Sequence, residues 1–162
     1  MKKILSILLA VFMLAIPNIS AFASVDSEPA SWDYYISDED FQKLEHIYAE
    51  NNMISTFTTG LITVKTLALA IDGSNLVIKG TTKAPDAKKC GFTYIKLQQY
   101  KNGSWVDYKV FEDIYNDSTS CSVTKSVAGV KGYKYRVVAV HYAKKSLFST
   151  EKIENQTSTL TL

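Results

Sequence analysis

Residues 94–111 read YIKLQQYKNGSWVDYKVF, two alternating runs that meet at Asn102-Gly103. An Asn-Gly pair between such runs is the strongest short-range hairpin signal, because both turn positions require positive φ and these two residues tolerate it. A two-residue turn also sets the register. Lys101 then faces Ser104, Tyr100 faces Trp105, Gln99 faces Val106, Gln98 faces Asp107, Leu97 faces Tyr108, Lys96 faces Lys109 and Ile95 faces Val110. The predicted core face is Ile95, Leu97, Val106, Tyr108 and Val110. The predicted outer face is Lys96, Gln98, Tyr100, Trp105, Asp107 and Lys109, so an aromatic pair stands amid polar groups. As a clamp, a cross-strand Tyr–Trp pair beside a turn contributes about 0.2–1 kcal/mol. As a platform, its flat rings suit a sugar ring or another protein's aromatic or proline side chains. The clamp reading leads, and the two are compatible.

On either side of this hairpin the same chemistry repeats from Leu61 onward. Seven runs can be drawn: 61–70, 76–82, 92–100, 105–111, 119–127, 133–142 and 147–153. They are separated by Asp72-Gly73-Ser74-Asn75, Ala84-Pro85-Asp86, Asn102-Gly103, Asn116-Asp117-Ser118, Gly129 to Gly132 and Lys144-Lys145-Ser146, all sound turn material. Short strands at this spacing predict a mainly β chain, an antiparallel immunoglobulin-like sandwich of about seven strands. The run 132-GYKYRVVAV-140 is similar to strand F of fibronectin type III domains. The resemblance implies that Tyr133, which opens the run, forms the structural tyrosine corner that hydrogen-bonds back to the chain a few residues upstream. It extends little beyond residues 130–142, and no tryptophan stands in the early strands, where that family usually has one.

A second resemblance covers more of the chain. Gly80-Thr81-Thr82, Cys90 before a strand, Leu97-Gln98 followed by Asn102-Gly103-Ser104-Trp105, and Gly132-Tyr133-x-Tyr135-Arg136-Val137 together resemble a family of small secreted proteins of Gram-positive bacteria. What this implies is secretion and a β-rich domain; the family brings no assigned activity, catalytic residue or cofactor.

The N-terminus differs from everything after it. Met1-Lys2-Lys3 is followed by the apolar run ILSILLAVFMLAI and by Ala21-Phe22-Ala23, the pattern of a secretory signal peptide cleaved after Ala23. The apolar run is shorter than a membrane span, and no second run of spanning length follows, so the expected product is secreted with no membrane span. Cleavage removes Lys2 and Lys3 and no acid, leaving 16 basic against 16 acidic residues. That neutrality hides an asymmetry: residues 24–52 hold eight acids and one base, residues 53–162 fifteen bases and eight acids. The acidic segment, residues 24–60, contains 37-SDEDFQKLEHIYAENN-52. Ser37 is placed to cap a helix over about 38–50, with Asp38, Glu39 and Asp40 near the positive end of its dipole and Phe41, Leu44, Ile47 and Tyr48 on one stripe. Packing on its own domain, residues 61–162, is the leading reading for this helix, and a disordered acidic leader or a helix offered to another protein are the alternatives. The lysines are scattered and arginine occurs once, which argues against nucleic acid as a partner.

Cys90 and Cys121 are the only cysteines, and an even pair in a secreted chain suggests one disulfide; two buried free thiols are the alternative. Closing that loop of about thirty residues is worth roughly 3–4 kcal/mol by chain entropy. His46 and His141 stand in no catalytic or metal motif, and no calcium loop or nucleophile elbow is present, so neither metal nor cofactor is expected. Three functions stand in order. The first is a non-catalytic binding module for a cell-wall or host glycan or a protein, using Tyr100, Trp105, Gln98, Lys96, Lys109 and Asp107, with Asn102, Gly103, Leu97 and Tyr133 as structural supports. The second is an interaction or regulatory protein acting through Phe41, Leu44 and Tyr48. The third is an unrecognised hydrolase.

Overall fold

A computed structural model describes residues 34–49, 53–54 and 60–162. The leader, Trp32 and the chain around Asn51-Asn52 lie outside the described residues. Among the described residues there are one helix and ten strands: α1 (Asp38–Lys43), β1 (Glu45–Tyr48), β2 (Met53–Ile54), β3 (Val64–Asp72), β4 (Asn75–Lys83), β5 (Lys89–Lys101), β6 (Ser104–Asn116), β7 (Ser120–Ala128), β8 (Lys134–Ser146), β9 (Ser149–Gln156) and β10 (Leu160–Thr161). β3 to β9 correspond to the seven expected runs, with one correction: Lys144-Lys145-Ser146, expected as a turn, continue β8, and the turn is Leu147-Phe148, expected to open the last run.

All pairings are antiparallel, and they make two sheets. The first has the order β1-β3-β4-β7, with β2 also on β3; the second has β10-β8-β5-β6, with β9 also on β8. Of the seven long strands the first, second and fifth form one sheet, while the fourth stays beside the third on the edge of the other. The result is the antiparallel sandwich that the spacing of the runs predicts. Leu67, Leu69, Leu76, Ile78, Val123 and Val127 from the first sheet meet Phe92, Ile95, Leu97, Phe111, Tyr135, Val137 and Ala139 from the second. Burying each large apolar side chain contributes about 1.5–3 kcal/mol. Gly80 makes room for one of them, since a Cβ there would stand 2.9 Å from the Phe92 ring.

The acidic segment corrects the expected helix. Ser37 does cap it, accepting from the Asp40 amide at 3.0 Å, and Asp38, Glu39 and Asp40 do fill the first turn. But α1 stops at Lys43, where Leu44 turns to extended backbone (φ −78°, ψ 153°). Glu45–Tyr48 becomes a strand paired with Ala68–Ile71 of β3. A short isolated helix is marginal, whereas this ladder satisfies the backbone of both partners. α1 then lies on the outer face of the first sheet, where Phe41 is buried against Ala68, Ala70 and Val77. The run Leu67-Ala68-Leu69-Ala70 is therefore covered on both faces, which is why it does not alternate. Tyr34 donates to Asp72 at 2.7 Å and Lys79 pairs with Asp38 at the two sides of the contact. The boundary expected at residue 60 thus divides elements that share one sheet.

The hairpin has the predicted turn, with Asn102 at φ 53° and Gly103 at φ 81°. Its register holds from Lys101↔Ser104 to Gln98↔Asp107 and then breaks, so that Leu97 pairs with Lys109, Lys96 with Val110 and Ile95 with Phe111. Tyr108 is the extra residue of a β-bulge. Its ring stands edge-on to Tyr135 at 5.6 Å, and its hydroxyl donates to the Ala128 carbonyl of β7 at 3.0 Å, tying the free edges of the two sheets together. The correction to the expected core face follows: Phe111 enters it in place of Val110, and Val106 and Tyr108 are exposed.

The tyrosine corner is formed by Tyr135, not Tyr133. The Tyr135 hydroxyl accepts from the Val130 amide at 2.8 Å and from Gln99 Nε2 at 2.8 Å, and donates to the Val130 carbonyl at 3.3 Å. Tyr133 precedes β8, is half-buried, and its carbonyl accepts from the Leu162 amide at 3.1 Å.

Candidate functional site

Strand alternation sends Tyr94, Lys96, Gln98 and Tyr100 of β5 to the outer face of the second sheet, while Ile95, Leu97 and Gln99 point into the sandwich. Trp105 and Asp107 come from β6, and Arg136 comes from β8, where it is the register partner of Gln98. These residues form one ladder. Tyr100 and Trp105 stand 5.2 Å apart with their planes at 60°. The Arg136 guanidinium lies 4.4 Å from the Trp105 ring centre and its Nε donates to Gln98 Oε1 at 2.9 Å. Gln98 Nε2 donates to Asp107 Oδ1 at 2.7 Å, and Lys96 Nζ donates to Asp107 Oδ2 at 2.9 Å. Lys96 also stands 5.2 Å over the Tyr94 ring, and the Tyr94 hydroxyl donates to Glu154 of β9 at 3.0 Å.

The electrostatics follow from these contacts. The Gln98 amide, then Lys96, hold the Asp107 carboxyl below its ordinary range, and Asp107 in turn raises Lys96. Burial, then the Glu154 hydrogen bond, push Tyr94 up. Each exposed pair contributes at most about 1 kcal/mol. Their joint effect is order: Tyr94, Lys96, Gln98, Asp107 and Arg136 are tied to one another or to Glu154, so a ligand meets a surface whose shape is set beforehand.

Five of the six expected face residues come together here, and Lys109 does not. The bulge at Tyr108 places it opposite Leu97, off the outer face. Arg136, Tyr94 and Glu154 are additions. The alternation of strand F already put Arg136 on the face opposite to Tyr135, but its neighbour Gln98 lies 38 positions away and only the β5–β8 register brings them together. A second aromatic pair, Tyr115 and Tyr142 at 4.9 Å, lies farther along the same face, with Lys89 4.6 Å over Tyr115. Gly91 sits between them in register, and a Cβ there would meet the Ile114 carbonyl at 1.9 Å.

Cys90 and Cys121 are buried free thiols, which corrects the expected disulfide. Cys90 Sγ donates to the Thr82 carbonyl at 3.8 Å, and Thr82 is the register partner of Cys121. The sulfur is thus engaged by backbone at the sheet interface. Burial, helped by Cys121, raises the Cys90 thiol to about 11, the opposite of an activated nucleophile. The histidines are far apart in role. His46 Nδ1 lies 2.7 Å from the Leu44 carbonyl, and its ring stands between Phe41 and Tyr48. His141 is in the core, with Nδ1 2.8 Å from Thr82 Oγ1 and its ring against Phe92. Since Thr82 donates to the Gly91 carbonyl, the proton between Thr82 and His141 belongs to Nδ1. Among the described residues no group of three or more His, Cys, Asp or Glu is arranged to hold a metal ion, and no helix is long and apolar enough to cross a membrane.

Beside α1 a cleft of about 450 Å³ is lined by Asp38, Phe41, Gln42, Tyr48, Thr66, Ala68, Lys79 and Thr81. Of the three residues expected to present the acidic helix to a partner, Phe41 is buried, Leu44 is half-buried and Tyr48 is exposed. Comparison with protein-family models, with curated proteins and with solved structures finds no match.

Proposed function

We propose that this chain is a secreted, non-catalytic binding module whose ligand, an extracellular glycan of a cell wall or host surface or else a protein, rests on the outer face of the second sheet. The observation that carries this reading is the ladder from Tyr100 and Trp105 through Arg136, Gln98 and Asp107 to Lys96. Two rings beside fixed amide, carboxylate and cationic groups offer stacking and directional hydrogen bonding on one flat surface, the combination that a sugar ring requires. Arg136 strengthens the reading, because a guanidinium stacked on indole keeps donors at the ring's edge while covering apolar surface.

The test is a glycan and cell-wall array probed with the chain from Ser24 onward, at low and at physiological salt. Binding that survives salt and is lost in Tyr100→Ala/Trp105→Ala without a lowered melting temperature supports the platform. Binding that vanishes with salt reduces it to the lysine field, and a variant that loses stability and ligand together returns the pair to a clamp.

The second reading, an interaction protein acting through the acidic segment, draws support from the cleft beside α1, with Tyr48 and Gln42 on its rim. It is weakened by Phe41, whose apolar surface is already spent on Ala68, Ala70 and Val77. A hydrolase has the least support: His141 is enclosed in the core, and both thiols are buried.

A further inference from the structure

The β8–β9 hairpin turns through Leu147 and Phe148, with Ser146 paired to Ser149 across them. Two-residue turns favour Asn, Asp and Gly, and neither residue here adopts the positive φ that those types supply. Leu147 is 82% exposed and Phe148 99%, the most exposed large apolar side chain among the described residues. Folding gains nothing from either ring or branch in this position. An apolar tip that the fold does not use marks a contact made with something else.

The surroundings say what that something is. Lys144 is the register partner of Lys89, its carbonyl accepts from the Lys88 amide at 2.8 Å, and Lys145 follows it at a break in the β8–β9 register. Lys88, Lys144 and Lys145 thus stand at the two adjoining strand ends that lead into the tip, while the Lys89 ammonium lies over the Tyr115 ring. Of the acids beside it, Asp86 lies 3.5 Å from Lys145, and Glu151 is occupied by the Ile62 amide at 2.7 Å. We propose that this tip docks on an anionic lipid surface, with Leu147 and Phe148 entering the boundary between headgroups and acyl chains and the lysines meeting the phosphates. An apolar wedge under a basic collar binds by burial plus attraction to anionic headgroups, and neither part suffices alone. β5 runs from Lys89 to Lys101 while β8 returns from Lys134 to Ser146, so the tip and the Asn102-Gly103 turn occupy opposite ends of the second sheet. They are ~40 Å apart at the rise of an extended strand. A molecule seated by this tip would hold Tyr100 and Trp105 away from the membrane.

The test is vesicle flotation with the chain from Ser24 onward, which contains every described element. Vesicles of phosphatidylglycerol mixed with phosphatidylcholine are compared with phosphatidylcholine alone. The expected result is binding to the anionic vesicles, weakened about tenfold or more by Leu147→Asn/Phe148→Gly, a turn pair that favours the hairpin. Lys144→Gln and Lys145→Gln should each weaken it about fivefold. Absence of binding at low salt overturns the proposal, as does binding that the tip variant leaves unchanged while the lysine variants abolish it. A chain that ignores vesicles but sediments as a dimer, and loses that dimer in the tip variant, assigns the tip to a second copy and likewise overturns the lipid proposal. Since the tip variant leaves Tyr100 and Trp105 in place, failure here does not touch the glycan reading.

Discussion

The Tyr135 hydroxyl has three partners and no access to water, so its removal strands the Val130 amide and Gln99 without acceptors. Tyr135→Phe should cost about 1–3 kcal/mol in denaturant unfolding, the penalty for unsatisfied buried donors, while Tyr133→Phe should cost under about 0.5 kcal/mol. Equal effects would return the corner to Tyr133. His141 governs a pH response. Burial, then the positive charge of Lys65, hold its imidazole down at about 3, and Thr82 fixes its tautomer. The unfolded chain takes up a proton below the ordinary value of 6.5 that the native state refuses. Stability is therefore complete above that pH and falls by up to about 1.4 kcal/mol per pH unit between it and the depressed native value. The lowered carboxyls of Asp38, Asp40 and Asp107 act in the same direction, but only below about pH 4. Unfolding curves between pH 7 and 4.5 should show the slope, and the His141 ring resonances should not titrate across it; a flat profile would contradict the buried, neutral histidine. For the cysteines, a thiol reagent should find two reactive groups in denaturant and none in native protein. Finding none in either state would establish a disulfide.

Elements that the sequence suggested changed where two local preferences competed. In Leu44–Tyr48 the apolar positions fit a helical stripe and also the inward placement of Ile47 on a strand, and the open edge of β3 settled the choice for strand. α1 keeps only the turn that Ser37 caps and that Phe41 fastens to Ala68, Ala70 and Val77. Phe41→Ala should cost about 3 kcal/mol, as for a buried ring elsewhere, and lower the melting temperature of the whole sandwich in a single transition. A separate early transition would mean that the segment folds apart from the sheet. In β6 the turn chemistry of Asn102-Gly103 controls only the residues near it. Beyond Asp107 the bulge at Tyr108 takes over, because a tyrosine that reaches both Tyr135 and Ala128 closes the open side of the sandwich. Tyr108→Ala should remove that closure and cost about 1–2 kcal/mol, with the loss concentrated in faster hydrogen exchange along β6 and β7.

Across the molecule, the two sheets divide the work. Among the described residues α1 packs on the outer face of the first, and the second carries the ladder from Tyr94 to Trp105 on its outer face. Arg136→Ala should leave the melting temperature within about 2 °C, since exposed contacts contribute little, yet weaken a platform-bound ligand several-fold by freeing Gln98 and uncovering Trp105. An unchanged affinity in calorimetry would remove Arg136 from the site. The seven long strands, the I′ turn, the Ser37 cap and the alternation that sends Tyr100, Trp105, Gln98, Lys96 and Asp107 outward were all legible in the amino-acid string. Each depends on neighbours within a few residues, where turn chemistry and side-chain alternation act. The bulge, the choice of Tyr135 over Tyr133, the free thiols at Thr82 and the arrival of Arg136 over Trp105 were not. They arise from contacts between residues far apart in the chain, decided by which strands share an edge and in what register, and no local preference encodes those distances.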